Sequence, residues 1–323
     1  MALLDESARG VFIISATPFT DDGAMDWAST DRLVDYYLES GVDGITILGV
    51  MGEAPKLSAE ESEAFVARVA KRIDGRIPIV VGVSNPGLKL LGDFARRAID
   101  LGAAGVMVSP TAGLKSDEQI YGYIEGVVRE LGDRIPVVLQ DYPQLTSVFM
   151  SAGLVNRFFA DFPSLKMLKH EEAPGLRKLS RVRAAEAKGE RKRRISILVG
   201  NGGIHLVQEL ARGADGAMTG FAFPEMLVGV CRRFAAGDKE GAEDLYDAYL
   251  PLVRHEVQPG IGLALRKETL RRRGMLASAR VRAPGPALDA DDHAELTHLI
   301  ARLERAKRRL GVDEPGALRL AGE

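Results

Sequence analysis

Cysteine is nearly absent from this chain of 323 residues, whose single example is Cys231. One cysteine excludes an intrachain disulfide, and its apolar helical surroundings predict a packing role rather than a reactive one. An excess of charge of either sign is also missing, because 43 basic and 45 acidic residues leave a formal net charge of -2. This balance gives no sign of a nucleic-acid or membrane-surface partner.

Long apolar runs are missing as well. No window approaches ~18 uninterrupted apolar residues, so the sequence predicts no membrane span. The first ten residues have neither a basic start nor an apolar stretch, so we expect no secretory signal and a cytoplasmic protein. The hydrophobic content of 46% is sufficient for one sizeable core.

What the sequence does contain is a regular alternation of short apolar runs and helical patterns. The runs are continuously apolar, which is typical of parallel strands that are covered on both faces. Ser58, followed three residues later by Glu61, predicts a capping box at the start of one helix. Eight such units indicate an α/β protein with a (β/α)8 barrel, and no glycine-rich phosphate motif supports an open doubly wound sheet. The predicted strands are 11–14, 44–48, 79–82, 105–108, 137–140, 165–169, 196–199 and 216–218.

The last quarter of the chain contains no further strand. We predict a barrel over 1–236 and a C-terminal helical extension over 237–323 that packs on it, with helices near 238–255, 260–273 and 290–309. The basic segment 177–194 is interpreted as a solvated helix face and turn.

Lys169 is the first candidate for chemistry. Active sites of such barrels form at the C-terminal ends of the strands, and Lys169 continues the buried sixth strand to that end. Loss of hydration favours the neutral amine, which can add to a ketone and form an iminium ion. The alternative is a structural lysine paired with Glu171 or Asp141.

A second candidate is the tight turn of residues 49–53, which leaves the second strand. Its backbone N–H groups could bind a carboxylate, although a plain connecting turn fits the pattern equally well. The orientation of Glu53, either inward or capping the next segment, stays open. His170, His205 and His255 stand alone, so neither a metal nor another cofactor is predicted.

Together these residues resemble the dihydrodipicolinate synthase / N-acetylneuraminate lyase superfamily of class I aldolases. The resemblance implies that Lys169 is the Schiff-base lysine, that the turn of residues 49–53 binds the substrate carboxylate, and that the protein is a homotetramer arranged as a dimer of dimers. The positions that carry it are Thr17-Pro18-Phe19, Gly49, Gly52-Glu53, Leu168-Lys169, Gly200 and 213–216.

Several positions depart from the family pattern. Val50 and Met51 stand where the family has two threonines, and Gln140 stands where it has a proton-relay tyrosine. A second tyrosine is replaced within 110–113. Leu145 occupies the position of the synthase arginine, which argues against condensation with a second carboxylate-bearing substrate.

One branch of the superfamily matches more of these departures, namely the 2-keto-3-deoxy-sugar-acid dehydratases. The shared features are Gln140-Asp141-x-Pro143, Lys169-x-Glu171, the run 216–220, Phe223-Pro224 and the segment 250–256. The turn after the second strand does not match that branch, so the resemblance does not assign the substrate of that branch to this protein.

We therefore predict a Schiff-base lyase acting on a small 2-oxo acid, by dehydration or by aldol cleavage or condensation. Lys169 is the nucleophile, and Glu171 is favoured over Tyr142 for acid/base catalysis. A dihydrodipicolinate synthase and a non-catalytic 2-oxo-acid-binding barrel stay open as alternatives. The predicted substrate-binding residues are Gly49, Val50, Met51, Gln140, Asp141, Gly200, Asn201 and Met218.

Overall fold

A closed parallel barrel forms the centre of the molecule. The computed structural model describes residues 2–311, in which eight strands pair in chain order and the eighth pairs with the first. This confirms the predicted (β/α)8 barrel. The strands are β1 (Gly10–Ile14), β2 (Gly44–Ile47), β3 (Ile79–Gly82), β4 (Gly105–Val108), β5 (Val137–Asp141), β6 (Leu165–His170), β7 (Ser196–Val199) and β8 (Gly216–Ala217).

Helices cover the outside of the barrel and continue beyond it. The predicted capping box is present, because Ser58 Oγ accepts from Glu61 N at 3.1 Å and Glu61 Oε2 accepts from Ser58 N at 3.0 Å. The helices are α1 (Trp27–Glu39), α2 (Ala59–Ile73), α3 (Leu88–Asp100), α4 (Asp117–Leu131), α5 (Pro143–Thr146), α6 (Ala152–Asp161), α7 (Leu176–Ala187), α8 (Leu206–Ala211), α9 (Pro224–Ala235), α10 (Lys239–Glu256), α11 (Gly262–Arg272) and α12 (Ala290–Leu310).

The lumen of the barrel is filled by side chains from alternate strand positions. Val138, Met167 and Leu198 belong to one buried cluster inside the barrel, to which Leu4 from the N-terminal segment also belongs. Because side chains alternate across a strand, residues two positions further along β5 and β6 share this inner side. Gln140 and Lys169 are such residues, and they lie opposite each other in the β5–β6 register.

The C-terminal helices pack on one another and on the last barrel helix. α10 contacts α9 and α12, and α11 contacts both α10 and α12. α11 buries four consecutive polar residues, 266–269, which an exposed helix face would not do. Of the predicted extension, residues 312–323 lie outside the described part of the chain.

The interpretation of 177–194 as a solvated face is wrong for two of its basic residues. Lys178 and Arg191 are buried, with exposed fractions of 7% and 2%. Each has acidic or polar partners that offset the cost of burial: Lys178 Nζ lies 2.8 Å from Glu172 Oε2, and Arg191 Nε lies 3.2 Å from Asn156 Oδ1.

Two other expectations concern apolar parts of the chain. Cys231 is buried in α9, and burial raises the pKa of its thiol to about 12, which agrees with the predicted packing role. Within residues 2–311 no helix has the length and apolar character needed to cross a membrane.

Candidate active site

Lys169 and Glu171 lie together at the C-terminal end of β6. Lys169 Nζ is 3.1 Å from Glu171 Oε2, and the two residues are only 4% and 6% exposed. Gln140, at the end of β5, donates from Nε2 to the same Glu171 oxygen at 2.6 Å. The structure therefore places three of the predicted site residues in one buried hydrogen-bonded group.

Glu171 is held in place by the end of β7. Asn201 donates from Nδ2 to the backbone oxygen of Glu171 at 2.6 Å, and its backbone N lies 3.5 Å from Glu171 Oε1. A Cβ atom added to Gly200 would overlap with the Glu171 side chain. The absence of a side chain at Gly200 therefore creates the space that the carboxylate occupies.

Tyr142 is half-buried beside this group. Burial raises the pKa of its hydroxyl, the Glu171 charge raises it further, and the Arg266 charge lowers it. The raised pKa keeps the phenol protonated near neutral pH, so Tyr142 can donate a hydrogen bond. Its hydroxyl forms no hydrogen bond with another residue of the described chain.

The prediction that Asp141 binds substrate is wrong. Asp141 is fully buried on the opposite side of β5, with Lys178 Nζ at 2.6 Å and His170 Nδ1 at 3.6 Å from its Oδ2. Alternation along the strand is the physical reason, since Gln140 already takes the inner position. Asp141 instead joins β5 to α7 through a buried ion pair.

The turn after β2 lies at the mouth of the lumen. A Cβ added to Gly49 would be 3.3 Å from Met107 Cε in the lumen cluster. The backbone N–H groups of Gly52 and Glu53 donate within the turn, to Gly49 O and Val50 O. Those of Val50 and Met51 donate to no residue among 2–311, and Val50 is 48% exposed.

Glu53 neither faces the lumen nor caps α2. Its carboxylate accepts from the fully buried Lys267 at 2.5 Å, from Lys56 at 2.9 Å and from the backbone N of Arg282 at 2.9 Å. Burial lowers the pKa of Lys267 to about 8, and the Glu53 charge opposes this shift. Glu53 therefore connects the turn to α11 and the segment after it.

Arg266 is a residue at the mouth that the sequence analysis missed. It lies on α11, is 6% exposed, and donates from Nε to Glu256 Oε2 at 2.8 Å. One terminal nitrogen contacts the Met51 sulfur, and a Cβ at Gly220 would lie 2.7 Å from it. Helical periodicity gave no signal for this placement.

The last predicted binding residue, Met218, is fully buried and belongs to the lumen cluster. Among residues 2–311 no group of three or more histidine, cysteine or acidic side chains is arranged to hold a metal ion. The functional groups described at the mouth are the Lys169 amine, the Glu171 carboxylate, the Tyr142 phenol and the Arg266 guanidinium group.

Sequence comparisons identify relatives over almost the whole chain. A family model described as the dihydrodipicolinate synthetase family matches residues 7–303. L-2-keto-3-deoxyarabonate dehydratase of Azospirillum brasilense is 31% identical over 304 residues, covering 92% of this chain and 94% of the relative. A 4-hydroxy-tetrahydrodipicolinate synthase of Sorangium cellulosum is 34% identical over 247 residues, covering 75% and 79%.

Solved structures give the same grouping. The crystal structure of a dihydrodipicolinate synthase from Rhodopseudomonas palustris superposes with a TM-score of 0.91 at 46% identity, covering 94% of this chain and all of that one. YagE from E. coli K12, a prophage protein of the dihydrodipicolinic acid synthase family solved in complex with pyruvate, gives a TM-score of 0.84 at 25% identity, covering 92% and 98%.

Proposed function

The chain belongs to the dihydrodipicolinate synthetase family, whose members are lyases of the class I aldolase type, and from this premise we propose that it forms a Schiff base between Lys169 and a small 2-oxo acid. One observation carries the proposal: the Lys169 amine lies at the end of a barrel strand, buried, and 3.1 Å from the Glu171 carboxylate. That pair supplies a nucleophile and a proton acceptor at hydrogen-bond distance.

The reaction begins with addition of the neutral amine to C2 of the 2-oxo acid. Glu171 receives a proton from the adding amine and returns it to the C2 oxygen, which gives a C2 hydroxyl group. A second proton from solvent then allows this hydroxyl to leave as water and gives the iminium ion. A base then removes a proton from C3, and the electron pair of that C–H bond moves toward the iminium nitrogen to give an enamine. Glu171 is the candidate base because it touches the reacting nitrogen.

Dehydration follows if the electron pair of the enamine expels a C4 hydroxyl, which leaves as water after protonation. Cleavage instead starts from the iminium ion: a base removes the proton of the C4 hydroxyl, the C3–C4 bond breaks to release an aldehyde, and the electron pair moves toward the iminium nitrogen to leave the enamine. We favour dehydration, because the relative that aligns over 92% of the chain is a keto-deoxy-acid dehydratase. The Gln140, Lys169 and Glu171 side chains, which form one group here, are also the positions that carry the resemblance to that branch.

Reductive trapping tests the nucleophile. Incubation with pyruvate and borohydride should leave one reduced pyruvyl group on Lys169 of the wild-type protein and none on Lys169→Ala. Lys166, whose Nζ bonds to Glu6 at 3.0 Å outside the lumen, provides the matched control Lys166→Ala, which should be labelled like wild type. An adduct on another lysine would overturn the assignment of Lys169, and the absence of an adduct with any 2-oxo acid would favour a non-catalytic binding barrel.

A second candidate function is that of a dihydrodipicolinate synthase, which the Rhodopseudomonas palustris structure of that description favours at 46% identity. Against it stands Leu145, which is 54% exposed and offers no charge to a second carboxylate. We expect negligible condensation of pyruvate with aspartate semialdehyde. Robust turnover in that assay would establish the synthase instead.

A further inference from the structure

Tyr142 has a hydroxyl group that no other residue among 2–311 engages in a hydrogen bond. The residue follows β5 directly and is partly exposed. Burial and the Glu171 charge raise the pKa of the phenol, so the hydroxyl keeps its proton at neutral pH. A protonated phenol is a hydrogen-bond donor, and this donor is available to a bound molecule.

The register of the barrel strands places Tyr142 beside Glu171. Asp141, the last residue of β5, lies opposite His170, the last residue of β6. The ladder of hydrogen bonds continues past this pair, because the backbone N of Glu171 donates to Asp141 O at 3.0 Å. One further step in the same register brings Tyr142 opposite Glu171 on the neighbouring strand end.

Alternation along β5 directs the Tyr142 side chain to the inner side. The Gln140 side chain points into the lumen, where it bonds to Glu171 at 2.6 Å, and Asp141 points outward to Lys178. Tyr142 keeps an extended φ of -125°, so its side chain takes the inner direction again. Two residues of strand correspond to about 6.6 Å, so the phenol lies on the mouth side of the Gln140 amide.

We propose that Tyr142 is the general acid that protonates the C4 hydroxyl as it leaves the substrate. The inference rests on the proposed function, in which C2 of a 2-oxo acid is attached to Lys169. The lumen below Lys169 is filled by apolar side chains, among them Val138, Met167 and Leu198, so the rest of the bound molecule extends toward the mouth. Its C4 atom then lies further out than C2, at the level of the phenol.

Two residues are sufficient to balance the protons of the elimination. Glu171 takes the C3 proton and the enamine forms. The enamine electron pair then forms the C3–C4 double bond, the nitrogen becomes an iminium ion again, and the C4–O bond breaks. The Tyr142 proton goes to the departing oxygen, which leaves as water, and a phenolate remains. Glu171 returns its proton to the phenolate, and hydrolysis of the iminium ion frees Lys169.

The test compares a 2-keto-3-deoxy sugar acid with its analogue that has fluorine in place of the C4 hydroxyl. Fluoride is stable as an anion and leaves without a proton, so only the hydroxyl substrate needs the acid. Tyr142→Phe should lose about 100-fold in the single-turnover rate on the hydroxyl substrate, the lower end of the usual effect of a general acid. Its rate of fluoride release should change little. Glu171→Gln should slow both reactions, because both require removal of the C3 proton.

Tyr121→Phe is the matched control, because Tyr121 on α4 is also partly exposed and its hydroxyl donates to Asp161 at 2.9 Å, outside the lumen. It should react with both substrates like wild type. The removed Tyr142 hydroxyl has no partner among residues 2–311, so Tyr142→Phe should unfold at the wild-type temperature.

Three results would overturn the acid role of Tyr142: equal losses on the two substrates in Tyr142→Phe, no loss on the hydroxyl substrate, or a wild-type protein that releases neither water nor fluoride. Trapping of pyruvate on Lys169 is measured in parallel, and a trapped adduct in any of these cases would leave the Schiff base intact. Selective loss on the hydroxyl substrate in a protein that traps no adduct would support Tyr142 and overturn the Schiff base.

Discussion

Both close hydrogen-bond donors to the Glu171 carboxylate contact the same oxygen. Gln140 Nε2 and Lys169 Nζ lie 2.6 and 3.1 Å from Oε2, whereas among residues 2–311 Oε1 has only the Asn201 backbone N, at 3.5 Å. The less engaged oxygen is the better one to take a proton from substrate. The Gln140 amide does not titrate, so it orients the carboxylate without competing for that proton.

This arrangement gives the first prediction at the scale of single residues. Glu171→Gln preserves size and a hydrogen-bonding group but removes the base, and general acid/base catalysis is typically worth ~10²–10⁴-fold. The variant should therefore lose roughly that factor in turnover. It should still give the trapped Lys169 adduct on long incubation, although more slowly than wild type, because Glu171 also moves a proton during iminium formation. Steady-state rates with a 2-keto-3-deoxy sugar acid, together with trapping, measure the two effects separately.

Tyr142→Phe is the matched variant for this prediction. Its hydroxyl lies near Glu171 but its raised pKa suits a donor rather than a base, so we expect a smaller loss. If Glu171→Gln turned over like wild type while Tyr142→Phe lost most of its turnover, the acid/base role would belong to the Tyr142 phenol.

Sequence reasoning found those site residues whose positions follow from one strand. Lys169 and Glu171 are two residues apart, so alternation places both side chains on the same side of β6. Once Lys169 is placed on the inner side, Glu171 follows. Asp141 was placed wrongly because the inner side of β5 was not fixed by its own pattern. Arg266 was missed because its contact with Met51 joins positions far apart in the chain, which no local periodicity encodes.

At the scale of elements, the strands were predictable because each is an uninterrupted apolar run. Predicted and observed strand ends differ by at most one residue, for instance 165–169 against Leu165–His170. Helix α11 shows the limit of the same reasoning. Its location was predicted, but four consecutive buried polar residues follow neither a helical nor a strand period, so their burial came from neighbours that the sequence does not reveal.

Helix α8 supplies a prediction about pH. Burial raises the pKa of Glu209 to about 7, the charge of Glu171 adds to this, and His170 opposes it. The folded state therefore favours the neutral acid, and the contribution of Glu209 to stability is greatest below the ordinary carboxyl pKa. This contribution of Glu209 is lost as the pH rises toward 7. Its loss lowers the free energy of unfolding by about 3 kcal/mol, since one pKa unit corresponds to 1.36 kcal/mol.

Glu209→Gln cannot ionise, so it should raise the unfolding temperature relative to wild type near pH 8 and much less near pH 5. Thermal melts at the two pH values measure the difference. Glu243→Gln, at an exposed position of α10, is the control and should shift neither melt. An equal effect of Glu209→Gln at both pH values would show that burial of this acid is not the source of the pH dependence.

At the scale of the whole molecule, the C-terminal extension is joined to the barrel by two ion pairs, of which the Lys267–Glu53 pair is buried. Lys267 binds Glu53 at 2.5 Å, and Arg282 binds Glu61 at 2.5 Å across the start of α2. Removing one partner of a buried pair commonly costs 3–5 kcal/mol, roughly, because the other charge stays buried. We therefore propose that the extension beyond residue 236 is required for the active site and is not only an addition to the outside of the barrel.

The last prediction concerns assembly. Two large apolar side chains, Leu145 and Phe149, are 54% and 67% exposed and lie on the one segment that joins β5 to α6. Neighbouring exposed hydrophobic groups of this size are typical of protein interfaces. We expect the homotetramer that the family resemblance implies. Phe149→Asp would bury a charge in such an interface, so this variant should form a smaller species with a lower mass by light scattering. Leu310→Asp, at the end of α12, is the control and should keep the wild-type mass. A stable wild-type monomer at micromolar concentration would contradict the assembly, and an unchanged mass in Phe149→Asp would place the interface elsewhere.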